Sequence, residues 1–202
     1  ITDRTGEVIY QHKSEGVQVF SRATASIMDN LLKEVVVKGA TTQFYSELKN
    51  VNGAAASADW MGKTGTTDNF ADAWLIVSTP GITLGGWAGY DNNTPTNSKT
   101  GYTYNAQYMA RLTSAIYNAN PGIFKTGDKF NMDSSAIKAS VLKSTGLKPA
   151  TVSVNGRNVS VSGEMVDTYW AKNGPGDTTY RFAIGGTDSD YQKAWSSILG
   201  GH

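Results

Sequence analysis

The sequence contains no cysteine, which excludes disulfides, thiolate metal sites and a cysteine nucleophile. Such a composition fits an extracytoplasmic bacterial protein and a cytosolic one equally. Histidine is nearly absent too: His12 and His202 stand at opposite ends of the chain. No H-E-x-x-H or calcium-loop spacing occurs, so no metal or other cofactor is expected. Asp188 and Asp190 are read instead as acids at a helix start. A Ser-His-Asp triad would have to use His12, and nothing near it marks a nucleophile elbow. An excess of one charge sign is also missing. The 18 basic residues are balanced by 17 acidic ones, leaving no electrostatic footprint for nucleic acid or an anionic membrane. The chain is uncharged from Ala73 to Tyr90, but Pro80-Gly81 interrupts this run and Gly85-Gly86 follows. Those breakers favour a buried β-hairpin over a membrane span. The opening Ile1-Thr2-Asp3-Arg4 has no basic n-region or apolar h-region, and no initiator methionine precedes it. The chain therefore reads as a processed piece or fragment of something longer.

What is present supports a folded α+β protein. An apolar fraction of 39% in 202 residues is enough for one domain, or one domain with a small satellite. Thr5-Gly6 makes a turn between two short strands, with Val8 and Tyr10 alternating. Ser21 is placed to cap a helix carrying Ile27, Met28, Leu31, Leu32 and Val35 at helical spacing, with Gly39 as its stop. Residues 50–58 read as a loop. Residues 60–67, 73–79 and 82–89 read as strands, the last two joined at Pro80-Gly81. A polar loop spans 91–103, and a helix begins near Asn105 with Met109, Leu112 and Ile116 on one face. A domain boundary is expected near residue 130. Beyond it Ile137, Ala139 and Val141 alternate, and Asn155-Gly156 is the favoured turn of a hairpin flanked by Val152, Val154, Val159 and Val161. "TYRFAIGG" reads as a strand. A final helix is capped by Asp188 or Ser189 and buries Tyr191, Ala194, Trp195 and Ile198.

Lys-Thr-Gly occurs at Lys63, Lys99 and Lys125. The first copy overlaps Gly62-Lys63-Thr64, the tail of a nucleotide-binding P-loop. That motif needs a further glycine where this chain has Ser57, and it must follow a buried strand, which "NGAAASAD" is not. Among the copies, Lys99 lies in the polar loop and Lys125 in a turn. Only Lys63-Thr64-Gly65 follows Trp60-Met61, is followed by Thr66 and Thr67, and leads into the uncharged hairpin. A lysine that binds a carboxylate should be held on a rigid element. A glycine beside it permits close approach of another backbone. A surface lysine beside a glycine turn is the competing reading of the same pattern.

"GKTGTTDNFADAWLIVSTPGITLGGWAGYDN" resembles the Lys-Thr-Gly strand and following hairpin of penicillin-binding transpeptidases. "ITDRTGEVIYQ" and "SRATASIMDNLLKEVV" are similar to the segment before that motif. "KSTGLKP" and "YRFAIGGTDSDYQKAWSSI" are similar to the small C-terminal domain of bifunctional, class A penicillin-binding proteins of Gram-positive cocci. The resemblance implies a partial penicillin-binding/β-lactamase-like fold over residues 1–130, an antiparallel sheet with helices, and a small α+β domain over 131–202. It implies a serine-type DD-transpeptidase. A serine of S-x-x-K attacks the D-Ala-D-Ala carbonyl of a peptidoglycan stem peptide, S-x-N assists proton transfer, and the acyl group passes to an amine of a neighbouring stem. β-Lactams mimic the donor. By position, Lys63 would supply positive charge at the donor carboxylate and the S-x-N serine, and Thr64, Gly65, Thr66 and Thr67 would line the substrate side. Thr66 would hydrogen-bond the carboxylate, its backbone would pair with the bound peptide, and its N–H would complete the oxyanion hole.

The order of motifs departs from that family. S-x-x-K occurs at Ser46-Lys49, Ser135-Lys138 and Ser140-Lys143, and S-x-N at Ser153-Val154-Asn155. All but the first follow Lys63, and no S-x-N lies between Ser46 and Lys63. Ser46 reads as part of a polar helix face. The expectation is that both upstream motifs precede Ile1 and that the nucleophile is not in this chain. The expected partners are then the upstream part of the same protein, stem peptides and β-lactams, but not nucleic acid. The expected location is the extracytoplasmic face of a bacterial membrane, anchored by a segment outside this chain. A sheet divided in this way would expose an edge and apolar surface. A hydrolytic relative (a carboxypeptidase or β-lactamase) and a non-catalytic cell-wall scaffold are the alternative readings.

Overall fold

The computed structural model describes residues 1–13, 15–97, 99–154, 156–179, 189, 192–193 and 195–196, with the backbone alone at 101 and 102. The fold is α+β, helices with antiparallel sheets, as the pattern of periodicities predicts. Helix α1 (Arg22–Lys38) starts where expected. The Ser21 hydroxyl accepts the Thr24 N–H at 3.1 Å, satisfying one of the donors a first turn leaves open. Gly39 ends it, donating to Val35 C=O at 3.1 Å. The apolar stripe of α1 is only partly used. Ile27, Leu32 and Val35 are half-buried and Met28 and Leu31 are 52% and 56% exposed, while the buried face is Ala23, Ser26 and Val36, which the expected stripe does not include.

Helix α2 (Thr42–Val51) buries Phe44 and Leu48, one turn apart on a single face. The loop expected over 50–58 is instead the end of α2 followed by one helical turn, α3 (Gly53–Ala56). Asn52 makes the difference. Its Oδ1 accepts the Ala55 N–H at 3.0 Å and caps the turn, and Ala55 and Ala56 are small enough to be buried there. At the N-terminus the expected strand pair reduces to one bridge between Thr2 and Val8, closed by Asp3 accepting from Thr5 and Glu7. Val8, Ile9 and Tyr10 remain exposed, so no packing extends the pairing.

The three predicted strands form one antiparallel sheet, β1 (Met61–Thr66), β2 (Asp72–Ser78) and β3 (Thr83–Gly89), in that order. Thr79 N–H donates to Ile82 C=O at 2.9 Å across Pro80-Gly81. The helix expected near Asn105 starts earlier. Thr100–Asn105 is a widened, π-type helical segment running into α4 (Ala106–Ala119), so the polar run is not loop throughout. Asn105 is the reason: its buried amide donates to Ala73 C=O at 3.0 Å and Gly86 C=O at 3.3 Å, holding the helix start on the sheet. The anticipated face of α4 packs inward, Met109 fully and Leu112 and Ile116 in part.

Beyond residue 130, β4 (Ile137–Leu142) pairs antiparallel with β7 (Met165–Trp170), a strand that sequence pattern does not announce. Between them β5 (Ala150–Val154) and β6 (Arg157–Val161) form the expected hairpin, with Val154 opposite Arg157. The Asn155 part of its turn lies outside the described residues, as does "YRFAIGG". Of the expected final helix, Ser189, Gln192, Lys193, Trp195 and Ser196 are helical, and Trp195 packs on Val152 and Val154. Asp188, Tyr191, Ala194 and Ile198 lie outside the described residues.

The principal core gathers Val36, Phe44, Leu48, Trp60, Leu75, Val77, Met109 and Phe124. Trp60 is its hub. The ring meets Phe44 edge-on at 5.5 Å and Phe124 at 6.1 Å, and its Nε1–H donates to Ala55 C=O at 3.0 Å. The neighbouring Asp59 carboxylate pairs with Lys33 of α1 at 2.8 Å and accepts the Phe130 N–H at 2.8 Å. The start of β1 is thereby anchored from three directions. Trp60→Ala should destabilise the fold by about 3–5 kcal/mol. Trp60→Phe should cost about 1–3 kcal/mol, since the ring is largely kept and the buried Ala55 carbonyl loses its donor. Urea unfolding of both variants measures this, and a Trp60→Ala loss below that of Trp60→Phe would contradict it.

Candidate functional site

The copy of Lys-Thr-Gly at Lys63 lies within β1, which in this sheet is paired only with β2. Its other edge is open among the described residues. Which backbone groups face that edge follows from the register. Thr67 N–H donates to Asp72 C=O at 3.2 Å, so Thr67 faces β2. Direction alternates along an antiparallel strand. Gly65 and Lys63 therefore also turn their N–H and C=O toward β2, and Thr64 and Thr66 turn theirs to the open edge. Lys63 confirms one of these. Its ammonium donates to the Thr64 carbonyl at 2.6 Å, so the side chain curls over the edge of its own strand.

Side chains alternate between faces. Gly62, Thr64 and Thr66 share the face that packs under α1, and Met61, Lys63 and Gly65 share the other. Cross-strand partners extend that second face: Lys63 sits opposite Ile76, Gly65 opposite Trp74, and Trp74 opposite Trp87. Ile76, Trp74 and Trp87 are 46%, 47% and 40% exposed. An apolar surface of this kind beside a cation is unusual for a finished monomer surface. The structure thus brings Lys63, Thr64, Gly65, Thr66 and Thr67 together on one strand and its end. The Lys63 ammonium and the outward backbone groups of Thr64 and Thr66 could meet only a ligand lying along that edge, whereas Thr67 is turned to β2.

The two glycines of β1 differ in a way that sequence does not show. A Cβ on Gly62 would meet Ile76 O and Val77 Cγ1 at 3.1 Å and Val36 Cγ2 at 3.3 Å, so packing of α1 on the sheet explains Gly62. A Cβ on Gly65 would meet only Trp74 Cβ at 3.4 Å. The fold does not require a glycine there, and the freed space lies on the open side.

The other copies are placed differently. Lys99 is exposed at the start of the widened helical segment, not in a free loop. Lys125 is exposed in a left-handed turn with φ 47°, after the short 3-10 helix Pro121–Phe124. Neither is on a strand.

None of the Ser-x-x-Lys matches forms a nucleophile–base pair. Ser46 and Lys49 lie on the exposed side of α2, with the Lys49 ammonium over the Tyr45 ring at 4.3 Å. Ser135 donates to Asp133 at 2.5 Å. Ser140 donates to Asp167 at 2.5 Å, and Lys138 pairs with the same carboxylate at 2.8 Å. The hydrogen bond to Asp167, reinforced by its charge, raises Lys138 above the ordinary lysine value, opposite to what a general base needs. Lys143 pairs with Glu164 at 3.1 Å. Ser153, of the S-x-N match, sits in β5 of the hairpin. Among the described residues no group of three His, Asp or Glu could hold a metal ion.

Sequence reasoning missed the residues that fix the end of β1. Asp72 accepts from the Thr67 hydroxyl at 3.0 Å through Oδ2 and from the Trp87 indole N–H at 2.9 Å through Oδ1. The D-A-W and G-G-W groups of the hairpin were the available signal, but nothing in one sequence pairs their polar atoms. Beyond Thr67, Asn69 and Phe70 take φ of 55° and 56°, a conformation uncommon outside glycine. Thr96 ties that turn down, its N–H donating to Phe70 C=O at 3.1 Å.

An open-edged, cation-bearing β-strand is a form of site that binds an extended ligand by strand addition, and comparison with known proteins agrees on a family. No family model matches the chain. It is 40% identical over 93 residues to penicillin-binding protein 1F of Bacillus subtilis, covering 45% of this chain and 12% of that protein. Identity to penicillin-binding protein 1A of Aquifex aeolicus is 35% over 91 residues, 45% of this chain and 11% of the relative. A longer match, 28% over 167 residues, covers 77% of this chain and 19% of penicillin-binding protein 1A of Clostridium acetobutylicum. The chain is a homologue of class A penicillin-binding proteins, and it spans about an eighth of the length of the first two relatives.

Gly65→Ala should leave stability unchanged or raise it by up to about 1 kcal/mol, as expected for a strand position with room for a methyl group. Gly62→Ala should cost about 1–3 kcal/mol through overpacking beneath α1. Denaturant unfolding of the two variants tests the distinction. Equal destabilisation would show that Gly65 is retained for packing.

Proposed function

We propose that the chain is the C-terminal part of a class A penicillin-binding protein, a serine-type DD-transpeptidase that cross-links peptidoglycan. In this reading residues 1–130 complete the transpeptidase domain and residues 131–202 form a small α+β domain. The division is supported by separate apolar clusters, one around Trp60 and one of Val152, Val154 and Trp195. The single observation that carries the functional reading is the open edge of β1. It presents Lys63 and a glycine the fold does not need, in a chain whose relatives are named for binding penicillin.

A stem peptide ending in D-Ala-D-Ala, or a β-lactam in its place, lies along β1 as an added strand. The outward N–H and C=O of Thr66 pair with it, and the Thr66 N–H is one donor to the oxyanion of the tetrahedral intermediate. The ammonium of Lys63 leaves the Thr64 carbonyl for the ligand carboxylate, a pair worth on the order of 4 kcal/mol at about 4 Å near a surface, before desolvation. The Thr66 hydroxyl donates to the same carboxylate. Gly65 lets the ligand backbone approach. The attacking serine, with its lysine and the S-x-N pair, comes from outside this chain. The portion that carries them is the partner for the exposed face of Trp74 and Ile76 and for Met28 and Leu31 of α1. No helix of the described residues is long and apolar enough to cross a membrane. We place the protein at the extracytoplasmic face of the bacterial membrane, with the anchor outside this chain.

Fluorescent penicillin tests the proposal. The chain alone should take no covalent label, and the chain joined to the preceding portion of its protein should take it. Label on the isolated chain would overturn the external nucleophile, and no label on the longer protein would favour a scaffold role. In the longer protein Lys63→Ala should reduce the acylation rate at least about 100-fold, in line with loss of one charged transition-state contact, while Lys99→Ala and Lys125→Ala should leave it unchanged. Equal losses from all three would refute the choice of Lys63.

A further inference from the structure

Thr67 closes the Lys63–Thr67 run, yet its hydroxyl is already committed. It donates to Asp72 Oδ2 at 3.0 Å and accepts the Asp72 N–H at 2.9 Å. Its own N–H donates to Asp72 C=O. No donor of Thr67 is left for a ligand. Asp72 in turn uses its second oxygen to hold the Trp87 indole N–H at 2.9 Å. The indole has a prepared seat: a Cβ on Gly89 would meet its Cζ2 at 2.8 Å, so the ring lies against the bare Gly89 backbone. One carboxylate therefore joins the end of β1, the start of β2 and the far strand β3. It does so one residue from Thr66, whose N–H and C=O face the open edge. An edge strand lacks neighbours on one side, and its last residue would otherwise fray. The adjacent turn, with Asn69 and Phe70 both at positive φ, is strained and needs such over-determination.

We infer that Asp72 is a positioning residue for the ligand edge: through Thr67 and Trp87 it holds the Thr66 N–H and hydroxyl at the reacting centre, and Thr67 acts through Asp72 without touching the ligand. This rests on the functional reading above for what the edge binds, but the clamp itself can be tested separately. Asp72→Asn keeps size but turns one acceptor oxygen into a donor, so only one of the two hydrogen bonds that the carboxylate accepts can survive. Thr67→Val removes the hydroxyl, and Thr67→Ser keeps it.

The test uses the longer protein that carries this chain, with two readouts. One is hydrogen–deuterium exchange of the peptide spanning Met61 to Trp74. The other is the second-order rate of acylation by fluorescent penicillin. Asp72→Asn and Thr67→Val should each speed amide exchange around Thr66 to Asp72 and slow acylation about 10- to 100-fold, the scale of a small misplacement of a catalytic group. Thr67→Ser should stay near wild type in both. The double variant Asp72→Asn/Thr67→Val should be no slower than the worse single variant, because both break one unit. Multiplicative rate losses would show that Thr67 contacts the ligand independently and would overturn the inference. Unchanged exchange in the single variants would overturn the clamp, and faster exchange with an unchanged rate would overturn its positioning role. If the wild-type protein takes no label at all, the functional reading fails, and with it the positioning role, while the exchange readout still decides whether Asp72 and Thr67 act as one clamp.

Discussion

Everything about this molecule turns on holding β1 rigid while one of its edges stays open among the described residues. Unpaired edges are ordinarily liabilities, because exposed N–H and C=O groups seek partners and loosen the strand end. Here each end of β1 is secured by something other than a second strand. At its start, Trp60 is locked among Phe44, Phe124 and the Ala55 carbonyl, and Asp59 is tied to Lys33 and Phe130. In its middle, Gly62 lets α1 press directly on the sheet. At its finish, Asp72 bridges Thr67 and Trp87. The open edge is the remainder after those restraints are made.

That arrangement separates residues that build the strand from residues that present it. Gly62, Trp60 and Asp72 have structural partners that account for them. Gly65 and Lys63 do not: Gly65 has room for a methyl group, and the ammonium of Lys63 reaches no acid, only the carbonyl of its own neighbour. Groups without a folding reason, gathered at one edge, are the physical basis for reading this edge as the place where a ligand adds. Trp74 and Ile76 on the same face, and Met28 and Leu31 on α1, are large apolar side chains that the described fold leaves exposed.

Much of this was legible from one sequence. The β1–β3 meander follows from the uncharged run with its Pro80-Gly81 break, the start of α1 from Ser21, and the β5–β6 hairpin from valines alternating about Asn155-Gly156. These are local signals, each resting on a turn, a cap or a period of two. The failures have a common cause. Residues 50–58 read as loop from N-V-N-G, and the polar run 91–103 from its asparagines and threonines, but Asn52 caps a buried turn and Asn105 bonds two strand carbonyls. The value of those asparagines depends on partners distant in sequence or on burial. The strand β7 was missed for a similar reason, since half-exposed edge residues such as Met165 and Tyr169 carry a faint alternation.

Sequence alone determined the class of the molecule: an α+β protein without thiol chemistry, with one Lys-Thr-Gly copy favoured over two others by its neighbours. Those conclusions needed only composition, periodicity and flanking residues, which are properties of short stretches. Tertiary structure alone decided which backbone groups of that copy face outward, which of its two glycines the fold consumes, and that Thr67 belongs to Asp72. Those depend on register and on the approach of α1 and β3, and a one-residue slip in pairing would reverse all of them.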